Sequence, residues 1–234
     1  MFAIDEIVTT SKVDKNGRMK LFSAVQMMQD CSELWMESEP EYFACLEQEG
    51  RAQLVASRQV EILRVPDYRE RLTVKTSIFD CKELNGFRNT IVYDSQGNVC
   101  YAGWSMGAFV DKASGKLRKL PKELMSMITY DEKFPMDYKE RRIKVPSGPT
   151  VAEMDYSVNR NDIDYNHHVN NAQYLRLAME LVPETFEPQH LRIEYKIAVH
   201  MGDMVHVRMS EGNGGYYVMV EGERGVCAIM EFLP

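Results

Sequence analysis

Residues 161–175 read Asn-Asp-Ile-Asp-Tyr-Asn-His-His-Val-Asn-Asn-Ala-Gln-Tyr-Leu, and within them Asp164, Asn166 and His168 fall at every second position. Alternate side chains of an extended chain share a face. An extended run over 162–168 therefore aims this carboxylate, carboxamide and imidazole one way, and Ile163, Tyr165, His167 and Val169 the other. Such a set suits the hydrolysis of a thioester. The carboxylate could attack the carbonyl or deprotonate a water that does so. The carboxamide could orient that water or donate an N–H to the oxyanion, and the imidazole could polarise the carbonyl or protonate the departing thiolate. Asn170 or Asn171 can cap a helix that starts there, and the partial positive charge of a helix N-terminus suits a developing oxyanion. Asp-x-Asn segments also form polar turns with no chemistry attached, which is the competing reading.

The elements that must hold these residues occur twice. Asp14-Lys15-Asn16-Gly17-Arg18-Met19 parallels Asp164 to Val169 at an offset of 150 (164 minus 14), with Arg18 in place of the histidine. Each segment leads into a helical stripe: Leu21, Val25, Met28 and Trp35, with Phe22 and Cys31 nearby, in the first; Tyr174, Leu175, Ala178 and Val182 in the second. Strands follow in matching order. Arg58–Leu63 and Leu72–Val74 correspond to Arg192–Lys196 and Val205–Val207. Arg88–Tyr93 and Val99–Phe109, around Ser95-Gln96-Gly97-Asn98, correspond to Tyr216–Val220 and Val226–Phe232. The pattern predicts an α+β chain of two tandem hot-dog domains, each a long helix wrapped by an antiparallel sheet. The expected boundaries are residues 1–125, a proline-punctuated surface linker over 126–150, and residues 151–234.

Bulk properties narrow the function classes. A net charge of −7 argues against nucleic acid as the main partner, which would need a dominant basic surface. No apolar run approaches the roughly 20 residues needed to cross a bilayer, and the first residues carry no secretion or transit pattern, so the expectation is a cytoplasmic protein without a membrane partner. The cysteines (Cys31, Cys45, Cys81, Cys100, Cys227) have no C-x-x-C spacing, and the histidines (His167, His168, His190, His200, His206) have no metal-ligand spacing. Neither a metal nor another cofactor is expected.

The segment Asp162-x-Asp164-x-Asn166-x-His168-Val169-Asn170-Asn171 resembles the catalytic Asp, Asn and His segment of the plant and bacterial acyl-[acyl carrier protein] thioesterases. Leu117–Leu124 is similar to the Arg-rich, Pro-containing end of that family's first domain, and Ile193-Glu194-Tyr195-Lys196 to the strand after its second helix. The resemblance implies catalytic roles for Asp164, Asn166 and His168 and an acyl pocket shaped by the first domain, with methionines such as Met27, Met28 and Met36 as adaptable lining. It implies hydrolysis of fatty acyl-acyl carrier protein to free fatty acid, ending fatty acid synthesis. The partner is then an acidic carrier protein bearing an acyl-phosphopantetheine arm, with Lys112–Lys122 and Lys139–Lys144 as candidate docking patches. An acyl-CoA thioesterase and a non-catalytic acyl-thioester sensor are the alternatives, and homodimer formation is left open. One departure stands out. Where the family carries a glutamate that assists water activation, this chain has Ala198, followed by Val199, and Glu194 is a weak substitute.

Overall fold

Strand β1 (Phe2–Ile7) alternates half-buried and exposed side chains, as a strand with one face on a core must. It opens the first of two compact units in the computed structural model, which describes residues 1–234. The first unit comprises Met1–Ala56 and Leu63–Tyr138; the second comprises Ser57–Ile62 and Lys139–Pro234. No helix is long and apolar enough to cross a membrane.

In the first unit, helix α1 (Leu21–Glu37) is followed by α2 (Pro40–Gln48). The stripe of α1 is buried as its spacing requires: Val25, Met28, Cys31 and Trp35 are all at most 5% exposed. Burying each large apolar side chain contributes roughly 1.5–3 kcal/mol, so packing rather than helix propensity holds α1 in place. Pro40, tolerated only in a first turn, starts a new helix instead of extending the old one. The sheet contains β3 (Arg71–Lys82), β4 (Asn85–Asp94) and β5 (Val99–Asp111) in the antiparallel order β1-β3-β4-β5. The β4–β5 turn is built by Asp94, whose Oδ1 accepts the N–H groups of Gln96 and Asn98 at 2.9 Å each, with Gly97 at φ +85°. Strand β2 (Arg51–Ile62) follows α2.

The second unit repeats the plan. Its sheet orders β6 (Thr150–Ser157), β8 (Met204–Gly212), β9 (Gly215–Gly222) and β10 (Gly225–Leu233) as β6-β8-β9-β10, with β7 (His190–Tyr195) next to β10. Residues Ser57–Glu61 pair antiparallel with β7. Helix α4 (Asn171–Met179) packs on β8, β9 and β10, as α1 packs on β1, β3 and β4. Both units thus show the helix-on-sheet arrangement of the hot-dog fold.

Two features differ from the sequence reading. Helix α4 has nine residues rather than the length of α1, because Pro183 disfavours helical conformation just before it; Val182 is buried beyond the helix end. Edge strands β1 and β6, absent from the expected strands, precede the Asp14 and Asp164 loops. Most of residues 126–150 are exposed or half-buried, with Ile128 and Ile143 as the buried exceptions, and Pro121 starts a short helix, α3 (Lys122–Ser126). Ile128 joins the first unit's core with Trp35, Leu46 and Phe109. The buried Asn89 accepts hydrogen bonds from Phe134 N–H and Tyr138 O–H, both at 3.0 Å. Ile143 enters the second unit's core with Tyr217 and Ile229.

Candidate active site

Each site residue lies on the loop between β6 and α4. Its first half is a 3₁₀ turn, Arg160–Asp162, closed by a capping box in which Asn159 Oδ1 accepts from Asn161 N–H and Asp162 Oδ2 accepts from Asn159 N–H. Asp162 is 4% exposed and ties the loop to α4 through Arg176 at 2.9 Å, with Tyr156 O–H donating to it at 2.9 Å. Asn170 caps α4, its Oδ1 accepting from Ala172 N–H at 2.9 Å.

Between these anchors the chain turns instead of running extended. Asp164 N–H donates to His168 O at 2.9 Å and His167 N–H to Asp164 O at 3.0 Å, while Ile163 and Val169 pair across the base. Asp164 Oδ1 accepts from Asn166 N–H at 2.9 Å. The expected alternation of faces over 162–168 is therefore replaced. A short carboxylate that can bond the backbone two residues on reverses the chain, and this competes successfully with extension. His167, at φ +63°, occupies the left-handed region that a non-glycine residue adopts only when its surroundings demand it.

Turn closure, not strand alternation, brings Asp164 and His168 opposite each other. Asn166 sits at the exposed tip. His168 is half-buried, and its pKa is held below the ordinary histidine value, first by burial and next by the neighbouring His200; the Asp164 charge pulls the other way. The imidazole is thus predominantly neutral near pH 7, able to donate or accept a hydrogen bond.

The loop after β7 completes the surroundings. Val169 N–H donates to Val199 O at 2.8 Å, which brings His200 against the turn, its ring centroid 4.8 Å from that of His168. His200 N–H donates to Asp203 Oδ2 at 2.9 Å, and its Nδ1 lies 3.3 Å from His167 O. Arg224, in the β9–β10 turn, donates to Ala198 O at 2.7 Å. Strand β7 ends at Tyr195, so Ala198 is not on a strand face with Glu194. Glu194 is 3% exposed, accepts from Ile143 N–H at 3.1 Å and pairs with Lys196 at 3.3 Å. These contacts tie it to Ile143 and Lys196. His200 and Arg224 were not singled out as site residues from sequence. Cavities of about 540 Å³ beside Arg64, Glu70 and Asp94 and about 150 Å³ beside Val145, Arg208 and Tyr217 do not include Asp164, Asn166 or His168 among their lining residues.

Residues 3–128 match the acyl-ACP thioesterase N-terminal domain, and residues 149–227 match the acyl-ACP thioesterase C-terminal domain. The chain belongs to the acyl-ACP thioesterase family. Among solved structures of similar fold is an acyl-ACP thioesterase from Bacteroides thetaiotaomicron VPI-5482, with TM-score 0.87 and 22% identity over 99% of this chain and 96% of that one. Another is the 12:0-ACP thioesterase from Umbellularia californica, with TM-score 0.88 and 15% identity over 99% of this chain and 96% of that one. The curated acyl-[acyl-carrier-protein] hydrolase FATB3, chloroplastic, from Cuphea viscosissima is 26% identical over 153 residues, 61% of this chain. That match spans 37% of the relative's length, so the chain corresponds to well under half of it. Within this member of the family, the turn at 164–168, the α4 N-terminus and the 196–203 loop form the candidate active site.

Proposed function

We propose that the chain hydrolyses the thioester of fatty acyl-acyl carrier protein, releasing free fatty acid and ending chain growth. The observation that carries this reading is the family match to both halves, joined to a turn that sets Asp164 and a neutral His168 opposite each other at a helix N-terminus. In this reading the acyl carbonyl lies beside His168 and Asn166, whose N–H groups stabilise the oxyanion. Asp164 supplies the negative charge that offsets a proton arriving on the imidazole cluster.

The acidic carrier protein docks on exposed cations. In the first candidate patch Lys112 pairs with Glu47, Arg118 with Asp111, and Lys119 with Glu83, which weakens the attraction there. Arg141, Arg142 and Lys144 are exposed and better suited to steer an acidic partner. Free thiols at all five cysteines fit work in a reducing cytoplasm.

Two further readings share the site. An acyl-CoA thioesterase would use the same chemistry on another carrier. Ala198 in place of the family glutamate favours a non-catalytic acyl-thioester sensor. Steady-state release of fatty acid from acyl-ACP and acyl-CoA bearing the same acyl chain separates all three. Faster turnover on acyl-ACP is expected; a preference for acyl-CoA would move the assignment to that carrier. An acyl thioester retained intact on the protein for hours would make it a sensor.

A further inference from the structure

His200 lies where the departure from the family leaves a gap. No carboxylate stands at Ala198, and Glu194 is engaged by Ile143 and Lys196. Two residues beyond Ala198, the chain folds back so that the imidazole of His200 packs against that of His168.

The position is fixed from every side. Arg224 holds the Ala198 carbonyl, Val169 N–H holds the Val199 carbonyl, and Asp203 both accepts from His200 N–H and donates its own N–H to His200 O at 3.2 Å. Gly202 N–H donates to Val158 O at 3.0 Å, which seats the loop on the end of β6. The ring itself contacts His167 O through Nδ1 at 3.3 Å. A carbonyl oxygen can only accept, so this hydrogen bond requires the proton on Nδ1. The neutral ring then carries its lone pair on Nε2. The His168 ring packs against it, and Asp203, which holds the backbone N–H of residue 200, pairs in turn with Arg224 at 3.7 Å.

We infer that His200 is the general base of the hydrolysis, its Nε2 taking the proton of the attacking water in place of the missing glutamate. This rests on the thioesterase reading above. In the first step a water oxygen bonds to the thioester carbon, its proton passes to Nε2, and the carbonyl π pair moves onto oxygen beside His168 and Asn166. In the second step the carbonyl re-forms, the C–S bond breaks with its electron pair on sulfur, and the imidazolium returns its proton to the thiolate. The products are one carboxylic acid and one thiol, and His200 ends neutral. His167 acts through its carbonyl as a positioning residue, which gives its left-handed conformation a purpose.

The test compares wild type, His200→Gln, His200→Gly and His168→Ala on the best acyl thioester of the wild type. Because the loop is held by the backbone N–H and C=O of residue 200, the folded state should survive both substitutions, as thermal melting would register. His200→Gln should lose about 100-fold in kcat with KM little changed, the usual scale for removing a general base. Any acid limb found in the wild-type pH profile should be lost in this variant. His200→Gly should regain part of its rate when imidazole is added to the buffer, which a purely structural role would not permit. If His200→Gln kept kcat within threefold and an unaltered pH profile while His168→Ala was inactive, the thioesterase reading would stand and His200 would not be the base. Failure of the wild type to cleave any acyl thioester would overturn both.

Discussion

In the first unit Asp14 Oδ1 accepts the N–H groups of Asn16 and Arg18 at 2.8 and 2.9 Å; in the second, Asp164 Oδ1 accepts from Asn166 N–H at 2.9 Å. Asp14 N–H reaches Arg18 O at 2.8 Å, and Asp164 N–H reaches His168 O at 2.9 Å. Gly17 and His167 share a positive φ, +79° and +63°. Met19 N–H donates to Pro66 O, and Val169 N–H to Val199 O, both at 2.8 Å. The backbone is therefore one device made twice, and an aspartate at its first position is a requirement of the turn in both copies. What separates them is the side chains hung on it. Arg18 and Asp67 stand where the second copy has His168 and His200. A guanidinium and a carboxylate keep fixed charges near neutral pH, whereas two imidazoles can pass a proton. The anchor differs as well: Lys12 bonds Glu6 in the first copy, while Asp162 bonds Arg176 and Tyr156 in the second.

The comparison breaks most sharply at His168→Arg, which installs the first copy's residue on the second copy's turn. Hydrolysis should fall by about 100-fold or more, since the proposed oxyanion donor is replaced by a longer fixed cation. The melting temperature should stay within a degree or two, because Arg18 already fits the same turn. Near-wild-type turnover in this variant would remove His168 from the chemistry.

A smaller effect is expected at the anchors. Asp162→Ala removes the carboxylate of Arg176, which keeps only Gln173 and Tyr156, and should cost about 2–3 kcal/mol in denaturant unfolding, less than a fully buried pair because Arg176 is about one-third exposed. Lys12→Ala should cost under about 1 kcal/mol, as both members of its pair keep a quarter or more of their exposure. Equal losses would mean that the two anchors do not differ as their burial indicates.

The smallest effect is a titration. His168 should titrate below the usual histidine value by NMR, and Asp164→Asn should lower it further, because the Asp164 charge is what raises it. The sign for stability follows. A histidine whose folded pKa is depressed binds protons better in the unfolded chain, so this group weakens the fold as pH falls from about 6.5 through the folded value. A rise in the His168 pKa on removing Asp164 would show that the two do not face each other.

Much of this was open to reading from the chain alone, for a definable reason. The buried stripes of α1 and α4, the strand order, the Ser95–Asn98 turn and the residues of the 164–168 segment are all set by patterns a few positions long. Short-range patterns express side-chain period and backbone preference, which are properties of the sequence itself. Asp164 shows where such reasoning stops: the same three residues suit an extended strand or a turn, and only the pairing of Ile163 with Val169 selects the turn. The engagement of Glu194 by Ile143, the burial of Ile128 against Trp35 and Phe109, and the meeting of His200 with His168 join residues remote in the chain. Sequence determined the two-fold plan and the polar segment that could do chemistry. Tertiary structure decided which side chains stand together, because sheet register and loop closure, not local preference, set the distances between residues remote in the chain.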